Sequence, residues 1–290
     1  MTSTLVGTTV FITGAARGIG EHVARRVVAR GGRPFLAGLE SERLSALAAE
    51  LDAPWFECDV TDQAGLDAAA ACAVEQTGGI DVVVANAGIA NMGTVAISPA
   101  DALVRTVDVN LNGVIRTVCA TLPHVVARQG YVLLMSSTAA FTAMPGMAAY
   151  CASKAGVEQF GNVLRLETDH LGVRVGTAHP IWVDTDMVRD ARADLATFRG
   201  SLRKLPWPLN KTVPVTECAE SIVRGIEGRK RRVYVPKAIG GVQAMRTLVL
   251  GPVGDLVVRR QGRSQVPQME AEVRALGRSF GEHSVGNWHG

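Results

Sequence analysis

Short apolar runs alternate with longer amphipathic stretches along most of this 290-residue chain. Runs that are rich in β-branched and aromatic residues and bounded by glycine or polar residues predict strands. They lie near residues 8–13, 33–38, 80–85, 131–136, 173–178 and 232–236. Between these runs apolar residues recur at helical spacing, and the alanine-rich stretch 66–74 is typical of a helix packed closely on a sheet. The alternation predicts an α/β fold in which helices cover both faces of one parallel sheet.

The length of the chain is compatible with one large domain or two small ones. No internal repeat and no low-complexity linker divides it. We therefore predict one domain over residues 1–237 and a helical extension over 238–290. We expect the extension to pack on that domain, on a pocket mouth or on a subunit interface.

A glycine-rich turn follows the first predicted strand. Gly14, Gly18 and Gly20 separate the strand at 8–13 from a helical pattern over 20–28. Glycines allow the backbone to approach a pyrophosphate, and a helix amino terminus offers unpaired N–H groups to it. The spacing is G-x-x-x-G-x-G rather than the commoner G-x-G-x-x-G, but its position between strand and helix predicts a dinucleotide site.

Tyr150 and Lys154 lie four residues apart, which on a helix places them one turn apart on one face. A phenol has a pKa of about 10, and a nearby ammonium can lower it by roughly 1–3 units. Ser137 follows the apolar run 131–135, so its hydroxyl is expected at a strand end, where it could hold a carbonyl oxygen. Together these groups predict proton exchange with an alcohol or an alkoxide. Taken alone, such a pair is more often a half-buried ring beside an extended lysine.

Over roughly residues 5–237 the chain resembles the short-chain dehydrogenase/reductase family. The motifs that carry the resemblance are Thr13-Gly14-x-x-x-Gly18-Ile19-Gly20, Cys58-Asp59-Val60, Asn86-Ala87-Gly88, Asn110, Ser137 and Tyr150-x-x-x-Lys154. The resemblance implies a Rossmann-type, doubly wound parallel sheet of about seven strands. It also implies an NAD(P)-dependent oxidoreductase that interconverts a secondary alcohol and a ketone.

By that resemblance the catalytic residues are Asn110, Ser137, Tyr150 and Lys154. Tyr150 is the general acid/base, Lys154 lowers its pKa and binds the nicotinamide ribose, Ser137 orients the carbonyl, and Asn110 holds a water that relays protons. The cofactor-binding residues it implies, besides Tyr150 and Lys154, are Gly14, Arg17, Gly18, Ile19, Gly20, Gly38, Asp59, Val60, Asn86, Ala87, Gly88, Pro180, Val183 and Thr185. Asn86-Ala87-Gly88 is the motif that steadies the central sheet, and Asp59 contacts the adenine.

The chain departs from the family pattern in two segments. Family members that prefer NAD usually carry Asp where Gly38 stands, and those that prefer NADP usually carry a basic residue near Leu39. This chain has neither, and Arg17 is positioned to pair with a 2′-phosphate, so NADP(H) is slightly favoured over NAD(H). Ile181 replaces a usual glycine, and because a β-branched residue avoids positive φ we expect the loop there to follow a different path.

The five cysteines show no metal-like spacing with histidine, so we expect no metal site and small buried thiols in a reducing compartment. The histidines, His179 included, lack a partner pattern and are interpreted as structural or surface residues. Neither a signal peptide nor a bilayer-spanning run is visible, which predicts a cytoplasmic protein. We expect a homodimer or homotetramer.

The net charge of +3 is unevenly distributed. Residues 229–263 carry nine basic residues and one acid, with apolar residues between them, and Gly251-Pro252 divides the stretch into two short amphipathic pieces. The segment is expected to pack on the domain with its cations outside. The residues that we expect it to bury are Val242, Met245, Val249, Leu256 and Val257. Peripheral contact with an anionic membrane, or capping of a pocket for a lipid-like substrate, is the alternative. Nucleic-acid binding is not expected, because Tyr234 is the only ring in the segment.

The substrate is expected to be an apolar carbonyl compound or alcohol. Apolar residues flank the expected nicotinamide position at Ile89, Met92, Phe141, Met144, Met147, Trp182 and Met187. The alternative function is a non-catalytic sensor of the cofactor, or a scaffold, with the same fold.

Overall fold

A computed structural model describes residues 5–281, and at residues 253, 255, 257 and 261 it describes the backbone alone. Within that range the strands are β1 (Thr9–Thr13), β2 (Arg33–Gly38), β3 (Trp55–Glu57), β4 (Val82–Ala85), β5 (Tyr131–Met135), β6 (Arg174–Pro180), β7 (Trp182–Asp184), β8 (Thr212–Pro214) and β9 (Arg232–Val235). Most strands of the main sheet are buried along their length, as continuous apolar runs covered on both faces are.

The main sheet has seven parallel strands in the order β3-β2-β1-β4-β5-β6-β9. The chain first winds outward from β1 to β3, then returns to β4 beside β1 and winds the other way. The two halves therefore part between β1 and β4, and a doubly wound sheet binds its ligand at the carboxyl ends of the strands on either side of that point. The remaining strands, β7 and β8, form a separate parallel pair.

The helices lie on both faces of this sheet and in a carboxy-terminal extension. They are α1 (Gly18–Ala29), α2 (Ser41–Leu51), α3 (Gln63–Thr77), α4 (Ala100–Val107), α5 (Gly113–Ala127), α6 (Ala148–Thr168), α7 (Asp186–Asp194), α8 (Ala196–Lys204), α9 (Val215–Glu227), α10 (Ile239–Ala244), α11 (Arg246–Val249) and α12 (Pro252–Leu276). A π-helical turn, Asp108–Asn112, joins α4 to α5. The predicted doubly wound α/β fold with a helical extension is confirmed.

Two buried clusters cover the two faces. One joins α1, α2, α9 and α10 to the sheet, and the other joins α3, α5 and α6 to it. In α3 the buried side chains are Leu66, Ala69, Ala70 and Ala73, so the alanine-rich stretch is the close-packed helix that the sequence predicts. A third, small cluster of Met92, Leu195 and Val273 joins α12 to the body of the protein.

The sequence misses three short strands and misjudges the extension. β3, β7 and β8 each have three residues, too few for a periodic pattern. Gly251-Pro252 does divide the extension, but the second piece is α12, a helix of 25 residues with Pro252 in its first turn, where the missing N–H costs nothing. Among the cysteines, Cys58 and Cys218 are buried as expected, whereas Cys119 is exposed.

Burial within the extension is also uneven. Val242 is buried and Val249 packs against the main core, whereas Met245 and Leu256 are exposed, contrary to expectation. The side chain of Val257, which was expected to be buried as well, lies outside the described residues. None of the helices in the described range combines the length and apolar character that crossing a bilayer requires.

Candidate active site

The glycine turn lies where the chain leaves β1. Gly14 and Gly18 have φ of +64° and +59°, a region that other residues seldom adopt. A Cβ on Gly14 would lie 2.8 Å from the Ala87 Cα, and one on Gly20 would overlap the Gly14 carbonyl oxygen. The turn is therefore closed to larger residues. No side chain caps the amino end of α1, so its first N–H groups face the turn.

Asn86 ties the turn to the neighbouring strand end. Its backbone N–H donates to Thr13 Oγ1 at 3.0 Å, and its Nδ2 donates to the Thr13 and Gly14 carbonyl oxygens at 3.0 and 3.2 Å. The Ala87 N–H donates to the same hydroxyl at 3.3 Å. Ile19, behind the turn, packs on the main core. These contacts hold the carboxyl ends of β1 and β4 together where the sheet divides.

Arg17 is already engaged at this edge. Its Nε donates to the Glu40 carboxylate at 2.7 Å, a second guanidinium nitrogen binds the same carboxylate, and Asp186 lies 3.9 Å away. The hydrogen bond to Glu40 raises the pKa of Arg17 above its usual value, against the effect of burial. Gly38, at the end of β2, has ordinary van der Waals space around a hypothetical Cβ, with the nearest atom at 3.7 Å.

Asp59 is held by the protein on both carboxylate oxygens. Oδ1 accepts from the Thr61 N–H at 2.8 Å, and Oδ2 accepts from Arg105 at 3.0 Å. Burial raises the pKa of Asp59, but these donors outweigh it and hold the pKa below its usual value. Val60, the next residue, is buried against Gly113. The adenine contact that the resemblance implies for Asp59 stays a prediction.

Tyr150 and Lys154 lie one turn apart near the amino end of α6, as predicted. The Lys154 Nζ is 5.7 Å from the Tyr150 ring centroid and donates to the Met135 carbonyl oxygen at 2.8 Å. Burial raises the pKa of Tyr150 to about 12, although a hydrogen bond with the Ser137 side chain opposes the rise. Burial also lowers the pKa of Lys154 to about 8. The pKa of the phenol is therefore raised and not lowered as predicted, because burial is the largest effect on it.

Ser137 follows β5 and begins a short 3₁₀ turn, Thr138–Ala140. Its hydroxyl accepts from the Ala139 N–H at 3.2 Å and donates to the Pro180 carbonyl oxygen at 3.4 Å. The serine hydroxyl thus lies between the end of β6 and the phenol of Tyr150, where it can turn toward a third oxygen.

Asn110 lies in the π-helical turn and is fully buried. Its Oδ1 accepts from the Ile89 N–H and its Nδ2 donates to the Ile89 carbonyl oxygen, both at 2.8 Å. The same Nδ2 is 3.2 Å from Ser153 Oγ on α6. A Cβ on Gly88 would lie 3.1 Å from Asn110 Oδ1 and 3.5 Å from Lys154 Nζ, so Asn110 and Lys154 meet around that glycine.

The segment after β6 faces the glycine turn. Ile181 lies between β6 and β7. Its N–H donates to the Val235 carbonyl oxygen at 3.0 Å, and its side chain is buried in the main core. β7 follows directly and buries Val183. A Cβ on Gly18 would touch Thr185 Cγ2 at 3.5 Å, which brings the threonine across the cleft from the turn.

His179, interpreted from the sequence as a structural or surface residue, is a structural one whose contact with Ser137 the sequence did not predict. It is fully buried, with Nδ1 3.3 Å from the Ser137 carbonyl oxygen and Nε2 3.3 Å from an Arg232 nitrogen. Because arginine only donates, Nε2 accepts and Nδ1 carries the proton toward Ser137. Burial lowers the pKa of His179 to about 4, so the ring is neutral at pH 7. Arg232 also donates to Glu158, a buried carboxylate on α6, at 3.1 Å. The signal, a histidine at the end of a predicted strand, was present but unspecific.

The apolar residues expected around the nicotinamide differ in their burial and in their contacts. Phe141 is buried against His179, with ring centroids 5.5 Å apart, and belongs to the core. Trp182 packs edge-on against Phe198 of α8 at 5.1 Å, and Met92 joins the small cluster with Val273 of α12. Ile89, Met144, Met147 and Met187 are partly exposed.

The extension contacts the loops on the same side of the sheet. Glu270 binds Thr94 Oγ1 at 2.5 Å, and Glu272 accepts from the Thr197 N–H at 3.1 Å and from its hydroxyl at 2.6 Å. The Met92 N–H donates to the Ser279 carbonyl oxygen at 2.7 Å. α12 therefore bridges the loop after β4 and the start of α8.

Comparison with known proteins matches the part of the chain that contains the glycine turn and the Tyr150–Lys154 pair. Residues 8–196 match the family described as short chain dehydrogenase. The chain is 34% identical over 190 residues to glycine betaine reductase ATRR of Emericella nidulans, a match that covers 63% of this chain and only 15% of that relative. It is 30% identical over 259 residues to an uncharacterized oxidoreductase of Myxococcus xanthus, covering 87% of this chain and 96% of the relative. An uncharacterized NAD-dependent oxidoreductase of Mycobacterium tuberculosis is 33% identical over 214 residues, covering 67% and 78% respectively.

Proposed function

This chain belongs to the short-chain dehydrogenase family, and we propose that it interconverts a secondary alcohol and a ketone with Tyr150 as general acid/base. Membership makes it an oxidoreductase and implies a nicotinamide cofactor. The observation that carries the proposal is the meeting of three groups: the Tyr150 phenol, the Ser137 hydroxyl bonded to it and the Lys154 ammonium 5.7 Å from the ring.

The cleft residues fit a dinucleotide. A Cβ on Gly14 or Gly20 would fill the turn, which leaves the backbone of 14–20 free to approach a pyrophosphate. Thr185 faces Gly18 across the cleft, within reach of a ligand that leaves the turn toward Tyr150. When bound, the nicotinamide ring supplies or accepts the hydride. The contact of Val183 and Thr185 with the nicotinamide carboxamide, and the assignment of Pro180, Asn86, Ala87 and Gly88 as cofactor-binding residues, follow from the resemblance.

In the reducing direction Ser137 donates a hydrogen bond to the substrate carbonyl oxygen. Tyr150, protonated at neutral pH because its pKa is about 12, gives its proton to that oxygen as negative charge develops there. Lys154, with a pKa of about 8, is charged at neutral pH and stabilises the phenolate that remains. In the oxidising direction the same phenolate removes the alcohol proton. Asn110 is proposed to hold the water that returns protons through Lys154.

The substrate is proposed to be apolar. Met92 and Val273 pack together where the loop after β4 meets α12, and Phe198, the ring that Trp182 of β7 contacts, packs against the same apolar cluster. We also propose that residues 1–237 form the catalytic domain and residues 238–290 an extension of it. The start of the extension is continuous with that domain, because Ile239 and Val242 of α10 pack into the main core. A homodimer or homotetramer remains our expectation.

NADP(H) remains slightly favoured over NAD(H) in this proposal. Gly38 presents no carboxylate to a 2′-phosphate, and Arg17 can turn to it, but only by leaving Glu40. Competition from the Glu40 carboxylate therefore keeps the preference for NADP(H) small. The name of one relative gives NAD as its cofactor, which argues against a strong preference for NADP(H).

The experiment is a panel of apolar ketones and secondary alcohols assayed with both cofactors by nicotinamide absorbance. Turnover is expected, and Tyr150→Phe should lower it by about 10²–10⁴-fold with cofactor affinity nearly unchanged. Tyr131→Phe is the matched control, since it removes the same atom from a phenol that bonds the Lys230 carbonyl oxygen instead. Full turnover by Tyr150→Phe would overturn the assignment. Cofactor binding without turnover of any compound would favour the non-catalytic sensor.

A further inference from the structure

A cluster of exposed apolar side chains lies at the junction of α11 and α12. Met245 is 52% exposed, Leu248 65%, Leu250 53% and Leu256 70%, all within twelve residues. Other exposed leucines, such as Leu166 on α6, stand far from this stretch in the sequence. Single exposed apolar residues need no explanation, but four of them concentrated in one short stretch point to an interaction surface.

The same stretch is strongly basic. Between residues 245 and 263 the sequence has four arginines, at 246, 259, 260 and 263, and one acid, Asp255. All four arginines are exposed. Arg229 donates to the Gln129 carbonyl oxygen, Arg232 enters the buried contact with Glu158, and the exposed Arg246 lies 3.7 Å from the same carboxylate. The start of the basic stretch therefore serves the fold. The interaction surface is therefore residues 245–263.

We propose that residues 245–263, the basic apolar segment, dock the protein on an anionic lipid bilayer. Exposed leucines of an interfacial helix enter the boundary between headgroups and acyl chains, while arginines bind the lipid phosphates. The later half of α12 is held to the body by Glu270 and Glu272, which bind Thr94 and Thr197. Docking therefore needs no release of the helix.

Charge decides between a bilayer and a second copy of the chain. Self-association through this surface would bring the segment's arginines close to those of the partner, and like charges in contact oppose association. An anionic bilayer offers the opposite sign together with an apolar interior. The proposal is independent of the reaction that the cleft performs.

The test is co-sedimentation of the full-length protein with vesicles of phosphatidylcholine alone or mixed with phosphatidylglycerol. We expect binding to the mixed vesicles only, at about 0.1 M salt, and release at about 0.5 M, where the screening length falls to roughly 4 Å. Each arginine near an anionic surface contributes about fivefold to partitioning, so Arg260→Gln with Arg263→Gln should weaken binding by about 25-fold. Leu248→Ser with Leu256→Ser should abolish it.

Matched controls lie elsewhere on the surface. Leu166→Ser alters a leucine that is 65% exposed, like Leu248, and Arg33→Gln with Arg174→Gln removes two charges at the amino ends of β2 and β6. Neither control should change vesicle binding. Absence of binding to anionic vesicles, or equal effects of control and segment variants, would overturn the proposal. So would a leucine variant that loses no lipid binding but changes the mass seen by light scattering, which would assign the segment to a second copy.

Discussion

The Lys154 ammonium donates to the carbonyl oxygen of Met135, the last residue of β5, at 2.8 Å. The cation is therefore anchored to the sheet, 5.7 Å from the centroid of the Tyr150 ring. Burial lowers the pKa of Lys154 to about 8, so this placement disfavours the charged lysine in the folded protein.

Replacing Lys154 with Met should lower turnover while raising stability. A folded-state pKa of about 8 against about 10.4 in the unfolded chain means that the protonated lysine opposes folding below pH 8. Removing it should stabilise the fold by about 3 kcal/mol at pH 7, less about 1 kcal/mol for the lost hydrogen bond. This gain should vanish above about pH 10, where the unfolded lysine is neutral too. Denaturant unfolding at pH 7 and pH 10 measures it, with Lys154→Arg, which keeps the charge, as control. A variant that is less stable than wild type at pH 7 would contradict the prediction.

Gly38→Asp should shift the cofactor preference toward NAD. The site has room for a Cβ, and a carboxylate there would bond the ribose 2′-OH and repel a 2′-phosphate. A hydrogen bond to a charged group is typically worth about 1.5–3 kcal/mol, so the ratio of the two Kd values should change by about 13- to 160-fold. Calorimetry with both cofactors measures the ratio.

Glu40→Gln is the opposing variant for the same measurement. It removes the carboxylate that engages Arg17 and should tighten NADP binding while leaving NAD binding almost unchanged. Equal effects on both cofactors would show that Arg17 does not meet the 2′-phosphate. Tighter binding of NAD than of NADP by the unmodified protein would refute the proposed preference.

His179 should make the protein acid-sensitive. Its pKa of about 4 lies below the unfolded value of about 6.5, so the stability that its neutral form contributes is complete above pH 6.5 and is lost as pH falls toward 4. The loss amounts to about 3 kcal/mol. Arg232 is the cation that faces the ring, and Glu158 binds that arginine in turn.

His179→Phe keeps a ring between Phe141 and Tyr234 but removes the titration. Its free energy of unfolding should therefore change less than that of wild type between pH 7 and pH 4. His170→Gln, on the exposed side of the chain, is the control and should follow wild type. Because His179 also holds the Ser137 carbonyl, kcat of His179→Phe should fall without a change in cofactor Kd. Parallel pH profiles for wild type and His179→Phe would exclude the role.

Removing α12 should raise KM for bulky apolar substrates. A chain ending at Leu250 keeps Ile239 and Val242, which pack in the main core, but loses Val273 and the Glu272 contacts to Thr197. Cofactor binding should remain measurable, since the glycine turn and Tyr150 lie elsewhere. Val273→Ser in the full chain should give the same change of KM to a smaller extent, and Arg274→Gln, on the exposed side of α12, should give none. Unchanged KM in both the truncated and Val273→Ser proteins would separate α12 from the substrate site.

Local patterns predicted the elements that carry the chemistry. The Tyr150–Lys154 pair lies on a helix and Ser137 at a strand end because both placements depend on short-range spacing. The glycine turn was predicted for the same reason. Six of the seven strands of the main sheet were predicted, and β3 was missed because three residues carry no period.

Contacts across the sheet were beyond the sequence. His179 and Ser137 are 42 residues apart and meet because β5 and β6 are neighbours in the sheet. Arg17, before α1, binds Glu40, after β2, and the local spacing did not reveal this competing contact. The pairing of Arg17 with a phosphate stays a prediction. The prediction for the phenol pKa is wrong because spacing does not reveal burial, which is the largest effect on that pKa.

The π-helical turn at Asp108–Asn112 makes one helix serve two registers. A π turn holds an extra residue relative to an α turn, and each residue of an α-helix advances the rotation by about 100°. Deleting a single residue there would restore α geometry and turn either Asn110 from Ile89 or the buried Val114 and Val118 of α5 from the sheet. Surface loops absorb changes of length, whereas here the number of residues is itself the constraint. A one-codon deletion in this turn would therefore make the chain keep either the packing of α5 on the sheet or the alignment of Asn110 with Lys154, but not both.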